Sequence, residues 1–191
     1  MHTADDQTLL LKTHAGDEAA ARELWSRHAG RLRAYALAIL PSWLSADDAV
    51  QAVMCRILST DRARLRTVAD PAAWMMRGIR NEALTMMRTA RRERRRRETL
   101  ETTRQATLAP THAGACGDLQ SALAELPRRM REIVVLRHVS GLTFDQAAAA
   151  LEANRHTVAW RYREAMARLR QLLGAETGPG EDAPSREVSH A

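Results

Sequence analysis

Apolar residues recur at the spacing of an α-helix in every segment of this chain that could build a core. One stripe of a single helix carries Leu24, Trp25, His28, Leu32, Tyr35 and Ile39. A spacing of three or four returns in each later apolar segment. No segment shows the strict alternation of a half-buried strand. No apolar run approaches the roughly 18–20 residues that cross a bilayer. The sequence therefore predicts an all-α protein without a membrane span.

One stretch of the chain lacks this periodicity and divides the rest. Residues 98–117 are rich in Thr, Ala and Gly and contain Pro110, which predicts a flexible linker. It separates a helical domain at residues 5–97 from a smaller one at 118–173. Residues 174–191 carry four acids, one arginine and several Gly and Pro residues, so we expect a disordered acidic tail.

Helix start signals organise the N-terminal block, for which we expect a four-helix domain. Asp17 can cap the helix that carries the first stripe, and Ser45 is the expected start of the next helix. Residues 59–70 are polar without periodicity and are interpreted as a loop. Asp70 and Pro71 supply a cap and a first-turn proline for a long helix.

That long helix runs into a strongly basic segment. Seven of the ten residues from Arg88 to Arg97 are arginine, and the whole chain carries a formal net charge of +6. A basic helix of this kind suits a phosphate backbone, although a solvated face that only aids solubility stays open. The two cysteines, Cys55 and Cys116, lack disulfide-scaffold or metal-site spacing. We therefore expect a reduced cytoplasmic protein with no metal site, no cofactor and no catalytic constellation.

The C-terminal block has the pattern of a helix-turn-helix. Thr143 and Gln146 form a capping box, and Asn154 can cap the following helix after a short break. That second helix is expected to bury Val158, Tyr162, Ala165, Leu169 and Leu172. The N-terminal end of this helix is the part that enters a major groove, and it carries Trp160. Two alternatives remain: Trp160 points inward and packs on the preceding helix, or the helical hairpin serves packing and not DNA binding.

Beyond these patterns, the chain resembles a known family in both blocks and in the right order. Residues 46–51 (ADDAVQ) with Val53 and Met54, residues 74–81 (WMMRGIRN) and the arginine run resemble region 2 of the extracytoplasmic-function (ECF) group of bacterial sigma factors. Residues 122–151 (ALAELPRRMREIVVLRHVSGLTFDQAAAAL) and 156–173 (HTVAWRYREAMARLRQLL) resemble their region 4. The resemblance implies a non-catalytic specificity subunit of RNA polymerase that recognises and melts promoters.

The resemblance also assigns residues to three interfaces. Contacts to the polymerase would come from Asp47, Asp48, Gln51 and Met54. Contacts to the −10 element would come from Arg77, Arg80, Asn81, Arg88 and Arg91. Contacts to the −35 element would come from Arg155, His156, Trp160, Arg161, Arg163 and Glu164.

The partners that the resemblance implies are core RNA polymerase, promoter DNA and, in some members, an anti-sigma factor, with a monomer in the free state. Ala52 and Met54 depart from the usual region 2 pattern, and Ala159, Trp160 and Glu164 from that of the recognition helix. Two other functions stay open on the residues alone. One is a stand-alone helix-turn-helix regulator, and the other is a degenerate sigma-like protein that binds partners without opening DNA.

Overall fold

Nine helices make up the regular structure of the described chain. The computed structural model describes residues 5–40, 42–100 and 117–173; the predicted tail and most of the predicted linker lie outside them. The helices are α1 (Asp6–His14), α2 (Glu18–Ile39), α3 (Trp43–Ser59), α4 (Arg62–Arg66), α5 (Pro71–Leu100), α6 (Gly117–Glu125), α7 (Arg128–His138), α8 (Phe144–Leu151) and α9 (Arg155–Leu172). The all-α prediction is confirmed, since every regular element of these residues is helical.

Most helix starts lie where the capping residues predict them. The Asp17 carboxylate accepts hydrogen bonds from the amides of Ala19 and Ala20, and the Asp70 carboxylate accepts one from the Ala73 amide at 2.9 Å. Such side chains satisfy amides that have no partner inside the helix. The capping box that opens α8 is also present in full.

The helix boundaries predicted for the N-terminal block are wrong at two points. The cap of α3 is Ser42 and not Ser45, because the Ser42 hydroxyl accepts from the Ser45 amide at 3.2 Å and the helix gains three residues. The predicted loop at 59–70 contains α4, capped by Asp61 and anchored by the buried Leu65. With α1 and α4 the block has five helices rather than four.

The core of the N-terminal block lies between α1, α2, α3 and α5. Gly78 of α5 lets that helix approach α3 closely, since a Cβ on Gly78 would lie 3.0 Å from Val53 Cγ2. His28 is buried, and its Nε2 lies 2.8 Å from Asp6 Oδ2. Trp25 does not join this core and is 42% exposed, so its predicted place on the buried stripe is wrong.

The C-terminal block packs against the N-terminal block. Helix α7 lies on α2, and α8 lies on α5. Residues of both blocks, such as Tyr35 and Ile79 with Leu136 and Ala147, belong to one continuous apolar cluster. Ala122, Ala165 and Leu169 form a smaller cluster between α6, α7 and α9, whereas Leu172 is 43% exposed, contrary to prediction.

Candidate nucleic-acid and protein interfaces

The outer face of α3 carries three of the four residues assigned to polymerase contacts. Asp47, Asp48 and Gln51 are exposed because the helix buries its opposite face, including Val50 and Val53, in the core. The Asp47 carboxylate accepts a hydrogen bond from Arg33 Nε of α2 at 2.5 Å. The side chains of Asp48 and Gln51 form no hydrogen bond with any described residue, so they are free to meet another protein.

Met54, the fourth residue of this set, lies on the edge of the same face. It is half-buried and packs against the core cluster. Part of its side chain therefore stabilises the packing of α3, and only the remainder is accessible to a partner. The role of all four residues in binding polymerase remains a prediction.

The first cations of α5 do not face solvent freely. Arg77 donates to the Ala149 carbonyl of α8 from Nη2 at 2.5 Å and from Nε at 3.1 Å. Its Nη1 lies 3.6 Å from the Glu152 carboxylate. Arg80 donates from Nε to Glu132 Oε2 of α7 at 3.3 Å. Two residues assigned to −10 contacts thus hold the C-terminal block.

Glu132 is the centre of a buried polar group between α2, α5 and α7. Its side chain is 1% exposed and lies 3.3 Å from Arg80 and 3.3 Å from Arg128. Tyr35 of α2 lies beside it; burial, and then the negative charge of Glu132, raise the pKa of the Tyr35 phenol well above its ordinary value. A buried carboxylate is tolerated only with such cationic partners.

Arg131 makes a second polar link between the blocks. Its Nε donates to the Ala38 carbonyl of α2 at 2.8 Å, and its Nη1 donates to the Ala124 carbonyl of α6 at 3.0 Å. Burial lowers the pKa of the Arg131 guanidinium, an effect that the neighbouring Glu132 opposes. Neither Glu132 nor Arg131 was singled out in the sequence; a lone acid and base in an otherwise apolar helical stretch, MREIVV, was the available signal.

Beyond Met86, which still packs partly against the core, α5 becomes a basic surface. Arg88 and Arg91 are exposed, as are the arginines that follow them through Arg97. Asn81, by contrast, is half-buried near the point where the helix leaves the core. A continuous row of cations on a helix can follow a phosphate backbone. The −10 assignments of these residues remain predictions.

The turn between α8 and α9 positions the candidate recognition helix. Glu152 adopts a left-handed conformation, with φ 51°, and Asn154 accepts a hydrogen bond from the His156 amide at 2.8 Å. Phe144 packs edge-on against Tyr162 with ring centroids 5.3 Å apart. The predicted helix-turn-helix is therefore confirmed as a structure.

The N-terminal half of α9 presents most of the residues assigned to −35 contacts. Arg155, His156, Trp160 and Arg163 are exposed, and Trp160, at 55% exposed, points outward rather than into the hairpin. Arg155 forms an ion pair with Asp145 at 3.0 Å. An exposed indole beside cations is a surface that needs a partner.

Arg161 and Glu164 lie to the side of that face. Arg161 is half-buried and lines a cavity at the junction of the two blocks. Glu164 pairs with Arg168 one turn along α9 at 3.1 Å. The ion pair with Arg168 engages the Glu164 carboxylate, whereas Arg161 only lines the cavity, and the −35 roles of both residues remain predictions.

The described residues form neither a metal-ligand cluster nor a membrane-spanning helix. No three of their His, Cys, Asp and Glu side chains come together as a metal ion would require. Within residues 5–40, 42–100 and 117–173, no helix has the length and apolar character needed to cross a bilayer.

Two family descriptions match the chain. Residues 24–93 match sigma-70 region 2, and residues 116–169 match sigma-70 region 4. These matches cover α2 to α5 and most of the C-terminal block, in the order that the sequence motifs predict.

Relatives and solved structures span most of the chain. It is 30% identical over 175 residues to the ECF RNA polymerase sigma factor SigM of Mycobacterium tuberculosis, covering 91% of this chain and 87% of that protein. It is 26% identical over 161 residues to the RNA polymerase sigma factor CarQ of Myxococcus xanthus, covering 83% and 92%.

Among solved structures, the sigma factor RpoE in complex with the anti-sigma factor NepR, from Bartonella quintana, has a TM-score of 0.61 at 26% identity, over 76% of this chain and 91% of that one. CnrH in complex with the cytosolic domain of CnrY has a TM-score of 0.62 over 90% and 99%. Its identity of 24% makes it a likeness of fold alone.

Proposed function

Because this chain belongs to the ECF RNA polymerase sigma factors, we propose that its two blocks divide the work of promoter recognition between them. The protein is a sigma factor, a subunit that gives RNA polymerase its promoter specificity. Residues 5–97 would bind the polymerase and the −10 element, and residues 118–173 would read the −35 element.

The main support for this division of promoter recognition is the exposed surface of α9. Its N-terminal half exposes Trp160 and three cationic or titratable side chains, while its opposite face is fixed by Val158 and Ala165 in the core. A rigid helix with an exposed N-terminal end is the part of a helix-turn-helix that enters the major groove. Arg163 favours guanine there, whereas Glu164 accepts from a cytosine or adenine amino group.

DNA opening by this subunit requires no bond chemistry. Each base that leaves the stack costs a few kcal/mol, and binding of the unstacked strand repays that cost. Arg88 and Arg91 on the exposed part of α5 would hold the backbone through phosphate contacts. Two separate modules on one chain gain avidity when the −10 and −35 elements have the matching spacing. The role is therefore one of specificity and not of catalysis.

Polymerase binding would use the exposed face of α3. Asp48 and Gln51 lie on a helix that the core holds rigidly, which suits docking on a preformed surface. The site of action would be the cytoplasm, where core polymerase is found. Since two structural neighbours were solved with NepR and with the cytosolic domain of CnrY, an anti-sigma protein is also a candidate partner of this chain.

Multi-round transcription with purified core polymerase on genomic fragments tests the proposal. We expect specific initiation that depends on this protein. DNA binding with no need for polymerase would favour the stand-alone regulator, and polymerase binding without transcripts would favour a degenerate sigma-like protein. Either of those results would overturn the proposal.

Two pairs of variants resolve the interfaces. Asp48→Ala should weaken polymerase binding, whereas Glu18→Ala, an exposed acid on α2, should leave it unchanged. Arg163→Ala should change which −35 bases are preferred, whereas Arg170→Ala, exposed at the far end of α9, should not. A uniform loss of affinity across all sequences for Arg163→Ala would contradict groove recognition at that residue.

A further inference from the structure

We propose that the cavity between α5, α7 and α9 binds a small anion with two adjacent phosphate groups, such as pyrophosphate or the diphosphate of a nucleotide. The cavity has a volume of about 310 Å³. Sites for small molecules occupy about 300–1,000 Å³, so this cavity has room for a small ligand only. The proposal goes beyond promoter recognition, because neither DNA nor polymerase takes part in it.

Two guanidinium groups at this cavity have no partner in the described part of the chain. Arg161 of α9 is half-buried and Arg129 of α7 is exposed, and both line the cavity. Neither side chain forms a hydrogen bond or an ion pair with any residue of the ranges 5–40, 42–100 and 117–173. A half-buried charge has lost part of its hydration and is normally paired in a folded protein. A ligand in the cavity would supply the acceptor that Arg161 lacks.

The two carboxylates at the cavity are already paired with cations. Glu132 lies 3.3 Å from Arg80 and 3.3 Å from Arg128. The Glu152 carboxylate lies 3.6 Å from Arg77. With the two unpartnered arginines, five cations therefore stand against two acids among the lining residues and their ion-pair partners. This surplus of positive charge favours an anion over a neutral or cationic ligand.

The donor geometry of the unpartnered arginines favours phosphate. A guanidinium presents its N–H groups as a planar fork that matches two oxygens of one phosphate. Because Arg129 and Arg161 project from different helices, a diphosphate can offer one phosphate to each of them. Ile133, Leu151 and Ala153 supply the apolar part of the lining, which suits the organic group of a nucleotide beside its phosphates.

A DNA phosphate is the alternative acceptor for Arg161, because the family resemblance assigns this residue to the −35 element. That role does not require Arg129, to which no DNA contact is assigned. A small ligand inside the cavity needs Arg129 and Arg161 together. The two sources of phosphate therefore predict different effects of changing Arg129.

Arg129→Ala is the most informative variant. It removes an exposed side chain without a partner among the described residues, so the fold should tolerate it. Arg161→Ala removes the second guanidinium, whereas Arg161→Lys keeps the charge and loses the planar fork. The control is the double variant Arg96→Ala with Arg97→Ala, which removes two exposed cations of α5 that do not line the cavity.

Isothermal titration calorimetry of the full chain with inorganic pyrophosphate measures this binding directly. The titration contains neither DNA nor polymerase and is made at constant ionic strength, because exposed arginines attract any anion. Sulfate is the second titrant, since it carries two charges but only one tetrahedral group. Circular dichroism confirms that each variant is folded before it is titrated.

We expect Arg129→Ala and Arg161→Ala each to weaken pyrophosphate binding about tenfold, the effect of removing one charged hydrogen-bond donor group. Arg161→Lys should weaken it less than Arg161→Ala, and the Arg96 and Arg97 control should bind as the wild type does. Sulfate should bind the wild type at least about tenfold more weakly than pyrophosphate.

Four results would overturn the proposal: no pyrophosphate binding by the wild type, an unchanged affinity in folded Arg129→Ala, equal binding of sulfate, or loss of binding in the Arg96 and Arg97 control. The last of these would place the anion on the exposed arginines of α5. Absence of transcription by the wild type would instead overturn the proposed function and leave pyrophosphate binding as it is.

Discussion

Replacing Gly78 by alanine tests the close packing of α5 on α3. The new Cβ would lie 3.0 Å from Val53 Cγ2 and 3.4 Å from Val53 Cγ1, inside the 3.5–4.0 Å at which carbon atoms attract. Alanine stabilises a helix interior by about 0.8–1.0 kcal/mol relative to glycine, whereas overpacking a core costs about 1–3 kcal/mol. We therefore expect Gly78→Ala to lower the free energy of unfolding by about 1 kcal/mol.

Two matched variants separate these opposing effects. Gly30 lies inside α2 with no atom within 4 Å of an added Cβ, so Gly30→Ala should raise the free energy of unfolding by about 0.5–1 kcal/mol. Val53→Ala removes both methyl groups that meet the new Cβ. In that background Gly78→Ala should become stabilising, with a coupling of roughly 2 kcal/mol.

Urea denaturation followed by circular dichroism at 222 nm measures all four proteins and the Gly30 variant. Equal stabilisation by Gly78→Ala in the wild type and in Val53→Ala would refute the reasoning, because it would mean that the two side chains do not meet. The same outcome would remove the physical reason for a glycine at this point of α5.

Three further predictions concern single side chains. Spectrophotometric titration should show that the Tyr35 phenol ionises only as the protein unfolds, because burial and then Glu132 raise its pKa. The stability that depends on neutral Tyr35 is complete below pH of about 10 and is lost as the pH rises through the raised value; ionisation of Tyr35 in the folded protein at the ordinary pKa of a phenol would contradict this. Arg91→Ala should reduce the slope of log affinity for duplex DNA against log salt by about 0.9, and an unchanged slope would indicate a solvated face. Trp160→Ala should change the free energy of unfolding by less than about 0.5 kcal/mol while weakening −35 binding; a large loss of stability would mean that the indole is part of the core.

Local signals in the sequence predicted most of the helices. Asp17, Asp70, Thr143 and Asn154 begin helices where their side chains can accept backbone hydrogen bonds, and that chemistry needs only neighbouring residues. Ser45 was a plausible cap for the same reason, but Ser42 offers the same hydroxyl three residues earlier and adds a turn to α3. The local sequence around a helix start cannot show which of two nearby serines is the N-cap, and helix ends are uncertain by one or two residues for this reason.

The contacts between the two blocks could not be predicted in this way. Arg77 and Ala149 are 72 residues apart, and Arg80 and Glu132 are 52 apart. The apolar periodicity of α5 placed both arginines off the buried stripe, which is correct for the N-terminal block alone. Helix α8 of the C-terminal block packs on that side of α5. Only the three-dimensional arrangement shows this contact. The same limit explains Trp25, which shares the stripe in sequence but lies outside the packed surface.

The length and continuity of α5 have a mechanical consequence. Its 30 residues form one rod of about 45 Å, at 1.5 Å per residue, clamped against α3 at Gly78 and projecting beyond Met86. A tilt of about 10° at the clamp would displace Arg97, about 28 Å further along the helix, by roughly 5 Å. The contact at Gly78 therefore fixes the position of the α5 arginines relative to the exposed face of α3, the two surfaces proposed to meet DNA and polymerase.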